Sequence, residues 1–167
     1  MKKVMFTMAL ALFKVGLMAQ PGSEVKSAIV FNDAKVELAY THYLRLKDAL
    51  VASRADAAKE AAVKLKNSLA SAKGSNTDNY QDAIRDAIKI ADASTMDDRR
   101  ETFASLSHAM TLIVKDRQLS KGIIYLEYCP MANNNKGAYW LSNEKEIKNP
   151  YFGEKMLSCG SVKETIH

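Results

Sequence analysis

Between Asp33 and Ser53, Val36, Tyr40, Tyr43, Leu44, Lys47, Leu50 and Val51 recur at intervals of three and four. That spacing draws one buried stripe along a helix over 33–53. Ser53 stands before Arg54-Ala55-Asp56 as a candidate N-cap, with an acid three residues on. The segment that follows, ADAAKEAAVKLKNSLASA, is built of strong helix formers, with Ala62, Leu65 and Leu69 on one face. Lys73-Gly74-Ser75-Asn76 ends it with a glycine and turn residues. A third helix is predicted over 78–93 from Tyr80, Ile84, Ala87, Ile88 and Ala91. After the break at Ser94-Thr95, a fourth runs over 96–117 with Phe103, Leu106, Met110, Ile113 and Val114 inward. Four amphipathic helices with short connections predict a mainly α fold, an antiparallel four-helix bundle.

The pattern changes at Gly122. Gly122-Ile123-Ile124-Tyr125-Leu126-Glu127-Tyr128 is β-branched and aromatic, and leads straight into Cys129-Pro130. Ala138 to Ser142 is a second short strand, after a turn at Asn133-Asn134-Asn135-Lys136-Gly137. Asn149-Pro150-Tyr151-Phe152-Gly153 is a further tight turn. A bundle over 20–121 capped by a small β and loop-rich element over 122–167 is the expected organisation, the two forming one compact domain.

The first residues alter the reading of charge. Lys2 and Lys3, the apolar run Val4–Phe13 and Ala19 before Gln20 have the form of an export signal over 1–19, cleaved near Ala19. The run is too short to span a membrane, and Lys14 interrupts it. This segment holds three of the 24 Lys+Arg and none of the 19 Asp+Glu, so the net charge of +5 owes three units to it. The mature chain is then nearly neutral and carries no nucleic-acid footprint. The expected location is the periplasm. Four of the eight methionines also fall in this segment; of Met96, Met110, Met131 and Met156, two flank the only cysteines.

Those cysteines form mirrored pairs, Cys129-Pro130-Met131 and Met156-Leu157-Ser158-Cys159. Thiolate and thioether are soft donors that favour Cu(I), or silver in its place. Residues two apart on an extended segment share a side, which would align Cys129 with Met131. Met156 and Cys159 would share one side of a turn, and the two halves together give a set of sulfurs suited to Cu(I). Zinc sites do not use thioether, and an iron–sulfur cluster wants four cysteines. One Cys-Pro dipeptide is a weak sign of heme. The competing reading is a Cys129–Cys159 disulfide, which in an exported protein would stabilise the loop by about 3 to 4 kcal/mol. The two can also alternate, a reduced pair holding metal and an oxidised pair holding none.

The run CPMANNNKGAYWLSNEKEIKNPYFGEKMLSCG resembles the signature of a bacterial domain family of unknown function. That family occurs as small exported proteins and as a C-terminal extension on periplasmic adaptor subunits of heavy-metal efflux pumps. Cys129-Pro130-Met131, Lys136-Gly137, Trp140-Leu141, Ile147, Asn149 to Gly153, Met156-Leu157 and Cys159-Gly160 carry the likeness. Arg100, Phe103 and Leu106-Ser107 match more loosely, as do Tyr43-Leu44 and Leu46 to Val51. The resemblance implies copper sequestration or hand-over, with an efflux adaptor or a copper recipient protein as partner.

His42, beside Leu38 and Leu46, and His108, beside Ala104 and Leu112, are candidates for a further ligand. Trp140 is expected to pack the cap, and Asn149 and Pro150 to set the turn that returns Met156 and Cys159. An interaction module locked by the disulfide is the alternative to a metal-binding protein. No phosphate loop, HExxH run or nucleophile–base arrangement points to an enzyme.

Overall fold

A computed structural model describes residues 28–72, 77–117 and 119–167; the expected export signal lies outside them. Helix α1 (Ala34–Val51) begins where the Asp33 carboxylate accepts the Lys35 N–H at 2.9 Å. Helix α4 (Met96–Asp116) begins the same way: Thr95 Oγ1 accepts the Asp98 N–H at 3.1 Å, with Asp97 and Asp98 at the positive end of the dipole. Between them lie α2 (Ala55–Ser71) and α3 (Asp78–Asp92). Each helix packs on the next, and α4 also touches α1.

Two local expectations change. Ser53 is not the N-cap of α2 but closes α1: it sits at φ 52°, its N–H bonds Leu50 O, and the Arg54 N–H reaches back to Ala49 O. Arg54 takes the N-cap position without a side-chain bond. In α3, Ile88 is 43% exposed, whereas Ala83, Ala87 and Ile90 are buried. Two apolar rows alternate on this helix, and the row rich in alanine lets the backbone come closest to its neighbours. The stripes expected on α1, α2 and α4 are otherwise inside, Lys47 included, except that Leu44 and Val51 on α1 are half-buried.

Below the helices, β3 (Ile124–Cys129) is the middle strand of an antiparallel sheet, between β4 (Ala138–Ser142) and β5 (Ser161–Ile166). Strands β1 (Val30–Phe31) and β2 (Leu119–Lys121) form a second, two-stranded sheet. The fold is therefore mainly helical with small antiparallel sheets. Strand β5 carries apolar side chains only at Val162 and Ile166, four residues apart, and its alternation gives no sequence signal.

Tyrosines from the helical layer and the return loop close the outer edge of β4. Tyr43 Oη accepts the Leu141 N–H at 3.0 Å and bonds Ser107 Oγ at 2.8 Å. Tyr151 Oη donates to Tyr139 O at 2.5 Å, and Tyr40 Oη to Asn143 Oδ1 at 2.6 Å. Tyr40, Tyr43, Phe103, Tyr151 and Trp140 run as a chain of ring contacts, centroids 5.4 to 6.2 Å apart, from α1 into the cap.

Candidate metal or disulfide centre

Strand β3 delivers Cys129 as its last residue because Pro130 has no N–H with which to continue the ladder. Residues two apart on β3 share a face, so Glu127 and Cys129 lie together, opposite Trp140 and Ala138 on β4. Cys159 arrives from the other direction, at the end of the return loop. Fully buried Asn149 fixes that loop. Its Nδ2 donates to Cys159 O at 2.7 Å, its N–H to Leu157 O at 2.8 Å, and its Oδ1 accepts the Tyr151 N–H at 2.8 Å. The Cys159 N–H closes a turn onto Met156 O at 3.1 Å.

Arg100 on α4 ties this loop to the helices. Its Nε donates to Pro150 O at 3.1 Å, and its Nη2 to Leu50 O at 3.0 Å and Ser53 Oγ at 2.9 Å. Gly153, at φ 56°, lies so close that an added Cβ would be 2.7 Å from Arg100 Nη2 and 2.9 Å from Val51 O. Arg100→Ala is expected to lower stability by about 2 to 3 kcal/mol in urea denaturation, since three charge-assisted bonds vanish at once. Arg100→Lys should recover little of it, because an ammonium lacks the fork that reaches both carbonyls.

The two sulfurs lie 2.6 Å apart, Cys129 buried and Cys159 half-buried. The Cys159 thiol is pushed up to about 11, first by its hydrogen bond to Cys129 and then by burial. Two thiolates sharing a tetrahedral ion with bonds of about 2.3 Å would stand about 3.8 Å apart. Fewer ligands open the angle and widen that gap, so a shared ion requires the sulfurs to part by more than an ångström. A disulfide requires them to close by roughly half an ångström.

The methionines are placed differently. Strand β3 ends before Met131, so the shared strand side expected of Cys129 and Met131 does not arise; Met131 turns into helical backbone and is 46% exposed. It lines a surface cleft of about 560 Å³ with Asp97, Asp98, Glu101, Tyr151 and Lys155, a lining that includes neither cysteine nor Met156. Met156, half-buried, ends the 3-10 turn Gly153–Met156 one turn before Cys159. His108 is exposed on α4. His42 is half-buried, its pKa lowered by burial and by Arg45 and Lys64. Among the described residues, no three His, Cys, Asp or Glu side chains converge, so neither histidine joins the cysteine pair in such a group. Trp140 is fully buried, its ring against Tyr151 and beside Gly160.

Sequence reasoning passed over Glu127. It is fully buried, and burial pushes its carboxyl up to about 8, against the opposing pull of Lys47 and the nearby Trp140 indole. The indole N–H favours the carboxylate electrostatically but does not meet hydrogen-bond geometry, and both Glu127 oxygens lack a bonded partner among the described residues. The groups around it, Lys47 on α1, Trp140 on β4 and Lys148 in the loop, come from other parts of the chain, so the local alternation does not mark this position as interior.

The fold is that of a helical domain carrying a small cysteine-bearing sheet. The chain belongs to the family described as protein of unknown function (DUF3347), whose model matches residues 39–122. That match runs from within α1 to just past β2, so both cysteines lie outside it. No curated protein and no solved structure matches the chain.

Proposed function

We propose that this is an exported, periplasmic soft-metal-binding protein, without turnover, that sequesters or transfers Cu(I) alongside heavy-metal efflux. The convergence of two thiols from opposite ends of one 31-residue segment carries the reading. Soft thiolates supply the charge and the strong bonds for a monovalent soft ion. Cys159 is half-buried, so an arriving ion meets it first, while buried Cys129 excludes water from the inner side. Met131 and Met156 are the neutral donors of the proposed set; Met131 must swing inward from the cleft to join it. The signature over 129–160 supports the link to efflux adaptors, and the helices are read as an antiparallel four-helix bundle that holds the cap.

The short sulfur separation favours a second reading, a cap locked by a Cys129–Cys159 disulfide in a protein-interaction module. Native mass spectrometry separates the two. The reduced protein is expected to take up one Cu(I), and Met131→Ala combined with Met156→Ala to lose most of that adduct. A protein lighter by two hydrogens that stays free of copper even with reductant present would leave only the lock.

A further inference from the structure

We propose that Cys159 is the entry sulfur through which an external dithiol reduces the Cys129–Cys159 pair. The inference takes the cysteine pair as the functional centre, as above, and adds the class of partner that acts on it. The sulfurs already touch, so in an oxidising compartment the pair closes readily to a disulfide, and a closed pair has no thiolate to offer a metal. A Cu(I) protein of this build therefore needs a source of electrons.

The two ends of that bond are unequal. Cys129 is fully buried at the end of β3, with Ala138 opposite it on β4 and Trp140 next along the same face. Cys159 is half-buried and follows exposed Leu157 and Ser158, which project from the loop as a place for a partner to rest. Thiol–disulfide exchange needs in-line access to the attacked sulfur. An incoming thiolate therefore bonds Cys159 Sγ, the Cys159–Cys129 bond breaks, and Cys129 leaves with the electron pair and takes a proton.

The resulting mixed disulfide is short-lived with a monothiol, because the freed Cys129 is held beside Cys159 and attacks it back, expelling the monothiol. A dithiol escapes this reversal. Its second sulfur attacks its own mixed disulfide, releases Cys159 as a thiol and leaves the dithiol oxidised. Two electrons and two protons pass to the pair, and two thiols stand ready. Asn149 keeps the loop in place throughout by its bond to Cys159 O.

The test uses the whole oxidised protein with glutathione as a monothiol probe, acid quenching, alkylation of free thiols and peptide mapping. Glutathione is expected on Cys159 over Cys129 by at least about tenfold, following exposure. Thioredoxin, a protein dithiol, should reduce the pair at least about tenfold faster than glutathione at equal thiol concentration. Equal loading of the two cysteines, a preference for Cys129, or a pair that diamide fails to oxidise would overturn the proposal. A reduced protein that takes up no copper removes the metal reading and leaves the glutathione map unchanged. Glutathione on Cys129 with the copper adduct intact removes this inference alone.

Discussion

Glu127→Gln is expected to stabilise the protein by roughly 3 kcal/mol at pH 7 and to flatten its stability–pH curve. The carboxyl is fully buried, and its proton affinity is raised from the ordinary 4.5 to about 8, chiefly by loss of solvation. Between those values the folded protein holds a proton that the unfolded chain has released. Stability therefore falls as pH rises through this window, by about 1.4 kcal/mol per pH unit, and levels off above about 8. Lys47 on α1, Trp140 on β4 and Lys148 in the loop pull the other way, while Glu144 adds to the rise. Glutamine mimics the protonated acid in shape and has nothing to ionise. Lys47 keeps its 2.8 Å pair with Asp48 in the variant. Urea midpoints measured from pH 5 to 9 check this: the native protein should weaken steadily up to about pH 8 and then level off, the variant should do neither. Parallel curves would show that Glu127 is solvated in solution.

Gly160→Ala is expected to destabilise the protein by about 2 to 4 kcal/mol and to abolish cysteine pairing. Gly160 sits at φ 142°, where an L side chain is strained. A Cβ there would also lie 2.8 Å from Trp140 Cη2 and 3.0 Å from Tyr128 O. The indole is locked by Tyr151 and cannot retreat, and Tyr128 O belongs to the central strand. Only the loop can move, and it carries Cys159 with it. Thiol counting after mild oxidation should find two free thiols in the variant and none in the native protein. A variant that still closes its disulfide would mean that the loop, rather than Gly160, sets the position of Cys159.

Much of the helical layer was legible because a 3.6-residue period survives one or two misplaced residues. Phe103, Leu106, Met110, Ile113 and Val114 are all inside. Failures came where two rows compete, as at Ile88, or where a residue serves the end of one helix and not the start of the next, as at Ser53. Strand β4 matches its expected bounds because the turn ending at Gly137 and the polar Ser142-Asn143 bracket its apolar run. Strand β5, polar over most of its length, gave nothing to read. Chain proximity indicated that sulfur matters near 129 and 159, and the two cysteines do meet. The methionine beside Cys129 misled, because a two-residue offset implies a shared side only while the backbone stays extended, and Pro130 ends the strand. Glu127 and Arg100 owe their roles to groups from other elements, Lys47 and Trp140 for the one and Leu50, Ser53 and Pro150 for the other, which local pattern does not contain.

The tyrosine hydroxyls along β4 have a bearing on behaviour at high concentration. They occupy the backbone groups through which a neighbouring molecule would add a strand, and on the far side β5 is interrupted by a bulge at Lys163. Neither flank of the sheet is a template for growth, so concentrated samples should resist fibre formation even when the thiols are reduced.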